Sequence, residues 1–542
     1  MDLAHFGHEM ERDAATDGER IRAAEVIAAL SLATDLGIGV PLEHGLHSTL
    51  IAMRLVERMG SDAATASQAY YACLLFYVGC TANADLADEL FGGHDVLTTY
   101  GGPVRFGSRP EMLTGVLRAM APQHGAPIVR ATKATSRLPR FARVIGAQSA
   151  AMCEVAIMLT DRLGLPADIG KLFAYVDERW DGKGRPGRGK REEIPLAVRI
   201  AQVARDAAFQ RMLGGVDFAA RVIRSRAGGA FDPSIAGELA DDAGEILGFD
   251  DRGSAWDATL ACEPSPRMTL GGEAIERALA AMGDFADLVS KYLVGHSRGV
   301  AKLASTAATR CGFDAAEVVT VRRAALVHDI GRVAVPVRIW QKPDELTSDE
   351  WERVRLHAYH SERILSRSPL LAALTPVATT HHERVDGSGY HRGSAGPALT
   401  PAARLVAAAD AFHAMTEPRP HRHALVSPEA AEALGREARA GRLDPDAVAA
   451  VLEASGVPAP RIERPAGITE REAQVVGLLA RGLQTKQIAR VLGISVKTAD
   501  RHIQNAYGKI GVSTRAAAAL FAMQHGLAAW GELPIASRKG RS

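Results

Sequence analysis

The sequence predicts an all-α protein in which two copies of one helical domain precede a small four-helix domain of the helix-turn-helix type. Aromatic residues form only 5% of the chain while Ala and Leu are abundant, a composition that favours helix. Apolar residues recur at helical spacing, as at Ala402, Leu405, Val406 and Ala409, and Gly and Pro are mostly confined to turns. Because 542 residues exceed one hydrophobic core, we expect three domains.

Two Pro-containing stretches are predicted to be linkers between these domains. They are residues 251–270 and residues 456–466. The predicted domains are therefore 1–250, 271–455 and 467–530, followed by a basic tail over 531–542.

Charge and cysteine usage predict a cytoplasmic protein with a basic C-terminal part. The formal net charge is only +1, but from Arg461 onward there are thirteen Lys and Arg against five Asp and Glu. The five cysteines are scattered and form no C-x-x-C pair, which indicates reduced thiols. Acidic residues stand where a signal peptide would be basic and apolar, and no long uncharged apolar run occurs, so we expect no membrane contact.

A faint internal repeat supports the duplication. The segment "RWDGKGRPGRGKREEIPLAVRIAQVARDAAF" from Arg179 aligns with "RVDGSGYHRGSAGPALTPAARLVAAADAF" from Arg384. Upstream, "GLHS" at Gly45 aligns with "VGHS" at Val294, and "CLLFYVG" at Cys73 aligns with "ALVHDIG" at Ala325. A period this long indicates two copies of a domain and excludes a solenoid.

Seven ionisable residues of the middle domain form a candidate metal centre. They are His296, His328, Asp329, His357, His381, His382 and Asp410. Imidazole and carboxylate suit Fe, Mn or Zn, and five histidines with two aspartates can hold two ions. The polar pair inside the apolar "LVHDIG" would also be costly to bury without a metal or a partner. Two ions that share a carboxylate can activate water and neutralise a phosphodiester.

The middle domain resembles the HD-GYP branch of the HD superfamily, whose best-known members hydrolyse cyclic di-GMP. The resemblance covers roughly 170 residues and rests on five successive motifs, "DLVSKYLVGHS", "ALVHDIGRVAVP", "HAYHSERIL", "HHERVDGSGYH" and "AADAFHAMTEPRPHR". It implies that all seven residues bind two divalent ions, Fe or Mn, with Asp329 bridging, and that His328, Asp329 and Arg332 are catalytic. The positions it implies for substrate binding are Arg332, Asp386, Gly387, Gly389, Tyr390, Arg419 and Arg422.

Three departures from the HD-GYP pattern bear on activity. Arg332 replaces a phosphate-contacting Lys, which keeps the charge but changes its shape. His391 replaces the final Pro of the signature, in a loop that family members use for substrate and partner contacts. Tyr292 stands where some members carry an extra Glu, so we expect two metals and not three.

The first domain is expected to be a degenerate copy that binds no metal. Phe76 and Tyr77 replace the HD pair, and Val176 and Asp177 replace the histidine doublet, while His47 and Asp206 persist at outer positions. "GRPGRGKR" from Gly184 matches a phosphate-binding loop only in part, because Arg follows the Lys and no strand precedes it. We favour a packing or dimerisation scaffold, with a ligand sensor as the alternative.

The C-terminal segment is predicted to read DNA. Thr469 with Glu472 forms a capping box, Gly482 ends that helix, Ser495 caps the third helix, and Ser513 caps the fourth. On the third helix, Val496, Ala499, Ile503 and Ala506 are expected to face inward. The residues expected to contact double-stranded DNA are Lys486, Lys497, Thr498, Arg501, His502, Gln504 and Lys509.

This segment resembles the DNA-binding domain of LuxR-type regulators over about 60 residues. The matching motifs are "ITEREA", "QIARVLGIS" and "TADRHIQNAYGKI". The resemblance implies a homodimer formed through the helix at 515–525 and a short inverted-repeat DNA site. Asp500 is acidic where basic residues are common, so the sequence does not specify base preference.

Three functional hypotheses follow. The first is a transcriptional regulator whose HD-GYP domain hydrolyses cyclic di-GMP or a related cyclic dinucleotide. The second is a transcription factor whose metal-bound domain is a catalytically silent nucleotide sensor, which Arg332 favours. The third is a phosphohydrolase of another phosphorylated substrate that uses its DNA-binding domain for localisation.

Overall fold

A computed structural model describes residues 19–83, 91, 99–100, 102–121, 126–249, 253–458, 465–525 and 527. Within these residues the protein is almost entirely helical, which confirms the predicted all-α class. The exception is one antiparallel pair of short strands, β1 (Arg20–Arg22) and β2 (Thr269–Gly271), in which Ile21 lies opposite Leu270.

The helices follow one another along the chain in three groups. The first group is α1 (Ala23–Ile38), α2 (His44–Arg58), α3 (Ala63–Leu74), α4 (Arg109–Met120), α5 (Pro127–Arg162), α6 (Ala167–Leu172), α7 (Leu196–Arg226), α8 (Pro233–Asp241), α9 (Ala243–Leu247) and α10 (Ala255–Ala261). The second is α11 (Glu273–Asp287), α12 (His296–Arg310), α13 (Ala315–Val327), α14 (Val337–Trp340), α15 (Ser348–Leu365), α16 (Pro369–Ala378), α17 (Pro401–Thr416), α18 (Ser427–Arg439) and α19 (Pro445–Ala454). The last is α20 (Glu470–Ala480), α21 (Thr485–Val491), α22 (Val496–Ile510) and α23 (Arg515–Gln524).

The described residues form two compact units. One contains those up to residue 297 together with 329–373, and the other contains 298–328 and those from 374 onward. In the first unit, α2 packs against α3 and α7, and the 3₁₀ turn Ile330–Ala334 packs against α15. In the second, α17 packs against α13, α18 and α19. Small and aliphatic side chains form most of both cores, and buried aromatic residues such as Tyr70, Phe231 and Phe285 add to the first.

The described part of the stretch predicted as the first linker, residues 253–270, is packed. It contains helix α10, which begins after the Ser254 cap and buries Trp256. Tyr70 donates to the carbonyl of Thr259 at 3.0 Å, and Arg22 pairs with Glu263. Because these contacts are buried, the prolines here mark turns within a packed segment and not a free connection.

The C-terminal helices follow the sequence prediction closely. The Thr469–Glu472 capping box is present, α20 is followed by Gly482 in the left-handed conformation, and Ser495 caps α22. Two details differ. The backbone of the fourth helix is capped by Thr514, whose hydroxyl accepts from Ala517, and not by Ser513. Val496 is 46% exposed because the first residue of α22 precedes the turn that packs on α20.

Candidate functional site

The turn after α13 carries the adjacent pair His328 and Asp329. His328 is the C-cap residue of α13, and Asp329 immediately precedes the 3₁₀ turn. Both side chains are fully buried. Apolar neighbours such as Val327 and Ile330 bury the backbone on both sides, so the two polar groups are fixed inside a hydrophobic environment. This burial is the costly arrangement that the sequence predicted for the pair.

Three of the predicted histidine ligands share one hydrogen-bonding pattern. The Nδ1 atom of His328 donates to the carbonyl of Ala325 at 2.7 Å, that of His381 donates to Ala378 at 2.7 Å, and that of His357 donates to Val354. Since a carbonyl only accepts, Nδ1 carries the proton and Nε2 keeps its lone pair. Metal-binding histidines are typically oriented in this way by a backbone carbonyl.

Asp329 lies between two histidines in the first unit. Its Oδ1 is 3.2 Å from His357 Nε2, and its Oδ2 is 3.6 Å from His296 Nε2. Arg332, three residues later, forms an ion pair with the same Oδ2. Each carboxylate oxygen therefore faces a different imidazole, which is the geometry that a bridging ligand between two ions requires.

A second cluster lies within the second unit. Asp410, on α17, has one oxygen 3.8 Å from His328 Nε2 and the other 3.8 Å from His382 Nδ1. The His328 and His381 rings are 4.7 Å apart, and those of His381 and His382 are 4.1 Å apart. The peptide bond between His328 and Asp329 joins this cluster covalently to the first.

Each unit contains part of the predicted set of seven ligands. The first unit contains His296, Asp329 and His357, and the second contains His328, His381, His382 and Asp410. In the second unit, His413 and Glu417 form a further polar pair, with Nδ1 3.3 Å from Oε1. Sequence reasoning missed this pair, although its spacing of four residues could have signalled a shared face. Imidazole and carboxylate donors of this kind suit divalent transition-metal ions.

Two glycines allow backbones to approach closely beside the ligands. A Cβ on Gly331 would overlap the backbone of residues 357–361 on α15, and one on Gly389 would overlap the backbone of residues 382–384. Each ligand backbone is thus held by direct main-chain packing.

A buried carboxylate caps the start of α12. Asp287 accepts from the Ser297 amide at 2.9 Å, and burial raises the pKa of this carboxyl to about 6. This contact fixes the helix end that carries His296.

The predicted substrate residues occupy different environments. Arg332 is buried beside Trp340, and among the described residues its Nε and Nη1 meet no hydrogen-bond acceptor. Tyr390 stacks on His382 with centroids 4.7 Å apart. Asp386 accepts from the amide and hydroxyl of Ser388, while Gly387 adopts a positive φ of 80°. These contacts shape the loop that follows the histidine doublet.

The two predicted basic positions after α17 are already engaged. Arg419 pairs with Glu417 at 2.9 Å. Arg422 donates to the carbonyls of Ala414, Met415 and Glu417, and burial lowers its pKa. Arg422 therefore holds the turn after α17, and Arg419 would have to exchange a partner to reach a phosphate.

The first copy has other residues at most of the predicted ligand positions, and its register differs from the sequence alignment. Asp35 accepts from the Gly45 amide, just as Asp287 accepts from Ser297, so the counterpart of His296 is His44 and not His47. Arg199 donates to the carbonyl five residues before it and to Asp232, as Arg404 does to Leu399 and to Asp444.

The same pairing corrects the last ligand position. Counting six residues from each of these matched arginines reaches Arg205 in the first copy and Asp410 in the second. Arg205, and not Asp206, is thus the counterpart of Asp410, since Asp206 forms a buried pair with Arg226. A guanidinium occupies the first copy at the position of a ligand carboxylate.

The C-terminal helices present a basic polar face. Lys486, Lys497, Thr498, Arg501 and Gln504 are exposed, and His502 is half-buried. Ala499, Ile503 and Ala506 are buried against α20, as predicted. Lys509 is exposed, but its Nζ donates to the buried Glu472 at 2.7 Å. That ion pair ties α22 to α20, so Lys509 is less available to a phosphate than the other cations.

Comparisons with known proteins match both parts of the chain. Residues 281–447 match the model of the HD domain, and residues 466–522 match that of the bacterial regulatory proteins of the luxR family. The 3'3'-cGAMP-specific phosphodiesterase 3 of Vibrio cholerae is 28% identical over 445 residues, which cover 80% of this chain and 94% of that protein. A cyclic di-GMP phosphodiesterase of Thermotoga maritima is 38% identical over 161 residues, covering 29% of this chain and 43% of that protein.

A solved structure shares the fold. The crystal structure of a cyclic GMP-AMP-specific phosphodiesterase of V. cholerae superposes with a TM-score of 0.55 at 24% identity, covering 81% of this chain and 98% of that one. None of the described helices is both long and apolar enough to cross a bilayer.

Proposed function

We propose that the protein is a DNA-binding regulator that hydrolyses a cyclic dinucleotide. The chain contains an HD domain followed by a luxR-family regulatory domain, and its relatives are HD-GYP cyclic dinucleotide phosphodiesterases. The HD domain would hold two divalent ions, Fe or Mn, through His296, His328, Asp329, His357, His381, His382 and Asp410. The observation that carries the proposal is the Asp329 carboxylate, whose two oxygens face His357 and His296.

The chemistry follows from this donor set. Bound ions would activate a water molecule and neutralise charge on the phosphodiester. The backbone carbonyls that accept from Nδ1 of His328, His357 and His381 orient each ring so that Nε2 would be the atom that binds an ion. Arg332 would use its Nε and Nη1 donors on a phosphate oxygen while its Nη2 stays on Asp329. Tyr390, stacked on His382, would face the substrate from the loop side.

The substrate class comes from the relatives. Those matched are named for 3'3'-cGAMP and for cyclic di-GMP. Both molecules present two phosphodiesters within a ring of two nucleotides, so the same metal centre serves either, and discrimination depends on the base-contacting loops. We therefore propose the cyclic dinucleotide class and test both members.

A catalytically silent sensor is the second candidate, and Arg332 is the observation that favours it. Its guanidinium is committed to Asp329 by an ion pair and lies against Trp340 with its carbon 5.4 Å from the ring centroid. A guanidinium held on the bridging carboxylate has less freedom than an ammonium to follow charge that develops on the leaving oxygen.

The test compares two histidines on one helix. Manganese-loaded full-length protein is incubated with cyclic di-GMP and with 3'3'-cGAMP, beside His357→Ala and the matched control His360→Ala. His360 lies one turn further along α15, is half-buried, and belongs to none of the candidate metal groups among the described residues. We expect His357→Ala to lose metal and turnover together while His360→Ala keeps both. If the protein binds metal but hydrolyses neither nucleotide, the enzyme hypothesis is refuted and the sensor hypothesis is supported.

We propose that the C-terminal domain binds double-stranded DNA with α22 in the major groove and dimerises through residues 515–525. The exposed side chains of Lys497, Thr498, Arg501 and Gln504 support the first part, because they lie at the start and along one face of the helix that would enter the groove. Leu520 on α23 is 50% exposed and supports the second.

A further inference from the structure

The first copy retains a buried cation that forms no ion pair with an acidic side chain among the described residues. Asp35 lies near enough for its charge to interact with this cation, but burial raises the pKa of that carboxyl to about 7. Arg205 is 2% exposed, and its Nη1 donates to the carbonyl of Cys73 at 3.2 Å. Among the residues that the structure describes, its Nε and Nη2 meet no acceptor. The adjacent carboxylate, Asp206, is already paired with Arg226 and accepts from Gln210. A buried guanidinium with two unmet donors is unfavourable unless something accepts from them.

Aromatic rings lie against this guanidinium, while one of its edges meets no acceptor among the described residues. Its carbon lies 3.6 Å from the Tyr77 ring centroid and 4.9 Å from that of Phe76, the two residues that replace the HD pair. Stacking of this kind stabilises the cation but uses none of its N–H groups. Nε and Nη2 point to the same side of the planar group and form the fork that binds two oxygens of one oxyanion.

A second buried donor lies near enough to Arg205 for the charge of the guanidinium to act on it. His44, the counterpart of His296, is 5% exposed, and its Nε2 has no hydrogen-bond partner among the described residues. Burial, together with the charge of Arg205, lowers the pKa of this imidazole, so it stays neutral and can donate from Nε2. A second arginine, Arg105, lies near the same two rings, but its charge is matched by Asp177.

We infer that the first copy binds a phosphate oxyanion, held by the Arg205 fork and by His44, at the position where the other copy carries its metal ligands. A guanidinium at a ligand position reverses the polarity of the site, so that it attracts the anionic group directly instead of through a metal. The choice of phosphate over carboxylate rests on the proposed function, since a duplicated phosphodiesterase domain would keep the shape that accommodates a phosphate.

Inorganic phosphate and a nucleotide phosphate share this chemistry, and the experiment separates them. Full-length protein carrying His328→Ala is stripped of metal, so that the HD centre neither binds phosphate through ions nor turns over. Binding of inorganic phosphate, GMP and cyclic di-GMP is then measured by calorimetry at constant ionic strength in chloride. We expect at least one of the three to bind, and the preferred one identifies the source of the phosphate group.

Variants then assign the site. Arg205→Lys, which keeps the charge but removes the fork, should weaken binding by about tenfold or more, and His44→Phe should weaken it as well. Arg199→Lys is the matched control, because Arg199 lies on the same helix and is fully paired with Ile194 and Asp232, so it should leave the affinity unchanged. If Arg205→Lys does not fold, His44→Phe decides alone.

Two results would overturn the inference. One is the absence of binding by all three ligands, and the other is an affinity that neither Arg205→Lys nor His44→Phe changes. Hydrolysis is measured separately on the protein with an intact HD centre, so a silent HD centre would refute the proposed enzyme while Arg205-dependent binding still supported this site.

Discussion

Replacing Gly331 by Ala tests whether main-chain packing holds the Asp329 carboxylate in place. Gly331 lies two residues after Asp329, and its amide donates to the Ser361 hydroxyl at 2.9 Å on the helix that carries His357. An added Cβ would lie 2.8 Å from the carbonyl carbon of His360, and closer still to the His357 oxygen and the Ser361 nitrogen. These are backbone atoms, which cannot rotate away as a side chain does.

The magnitude follows from the distances. Restoring ordinary van der Waals separation requires the turn to move by about 1 Å from α15, at a cost of about 1–3 kcal/mol for overpacking. Asp329 Oδ1 is 3.2 Å from His357 Nε2, and metal–ligand bonds tolerate changes of only about 0.2 Å. We therefore expect metal affinity to fall by about tenfold or more and the melting temperature to drop by several degrees.

The assay is metal content by mass spectrometry at fixed free manganese, together with thermal unfolding. Gly237→Ala is the control, since that helical glycine has no atom within 4 Å of its added Cβ, and it should be neutral or stabilising by about 1 kcal/mol. Parental metal content and melting temperature in Gly331→Ala would refute the idea that this contact positions Asp329.

Three further predictions concern pH, substrate and DNA. Burial raises the pKa of Asp35 from 3.8 to about 7, so the folded state binds a proton that the unfolded state has lost, and stability falls as pH rises from about 4 to 7. Asp35→Asn should therefore be more stable than the parent at pH 8, with a difference that narrows towards pH 4 in denaturant titrations; a constant difference would contradict this. Arg332→Ala should lower turnover by about tenfold or more while metal content is kept, because its Nε and Nη1 donors meet no acceptor among the described residues and can serve the substrate. Simultaneous loss of metal would instead give Arg332 a structural role. Arg501→Ala should weaken binding to a specific DNA site by about tenfold in a titration at fixed salt. An unchanged affinity would contradict the proposal that α22 enters the major groove.

Local signals explain how much of the fold was readable in the sequence. The boundaries of α20 and α22 follow from Thr469, Glu472 and Ser495, whose side chains cap backbone groups only three residues away. Such contacts depend on neighbouring residues alone, so the pattern and the structure agree. The all-α class, the HD domain and the luxR-family domain are confirmed for the same reason, because each rests on short motifs in a fixed order.

Register between distant copies could not be read in this way. The alignment that matched His47 and Asp206 to metal-ligand positions is wrong, because the insertions between the copies differ in length. His47 lies three residues after the counterpart of His296, which is His44, and Asp206 lies one residue after the counterpart of Asp410, which is Arg205. The equivalent residues of the two copies were identified only through their contacts. The Asp35–Gly45 and Asp287–Ser297 hydrogen bonds align the beginning of the two copies, and the matching ion pairs of Arg199 and Arg404 align their later helices.

The sequence by itself determined the candidate ligands and their order, since imidazole and carboxylate in an apolar context carry a chemical cost that few arrangements offset. Their role as ligands stays a prediction. The tertiary structure decided which groups already have partners. It engaged Arg422 and Lys509 within the protein, paired His413 with Glu417, and placed Arg205 against Tyr77. Hydrogen bonds and charge pairs between residues far apart in the chain depend on atomic positions that no local pattern encodes.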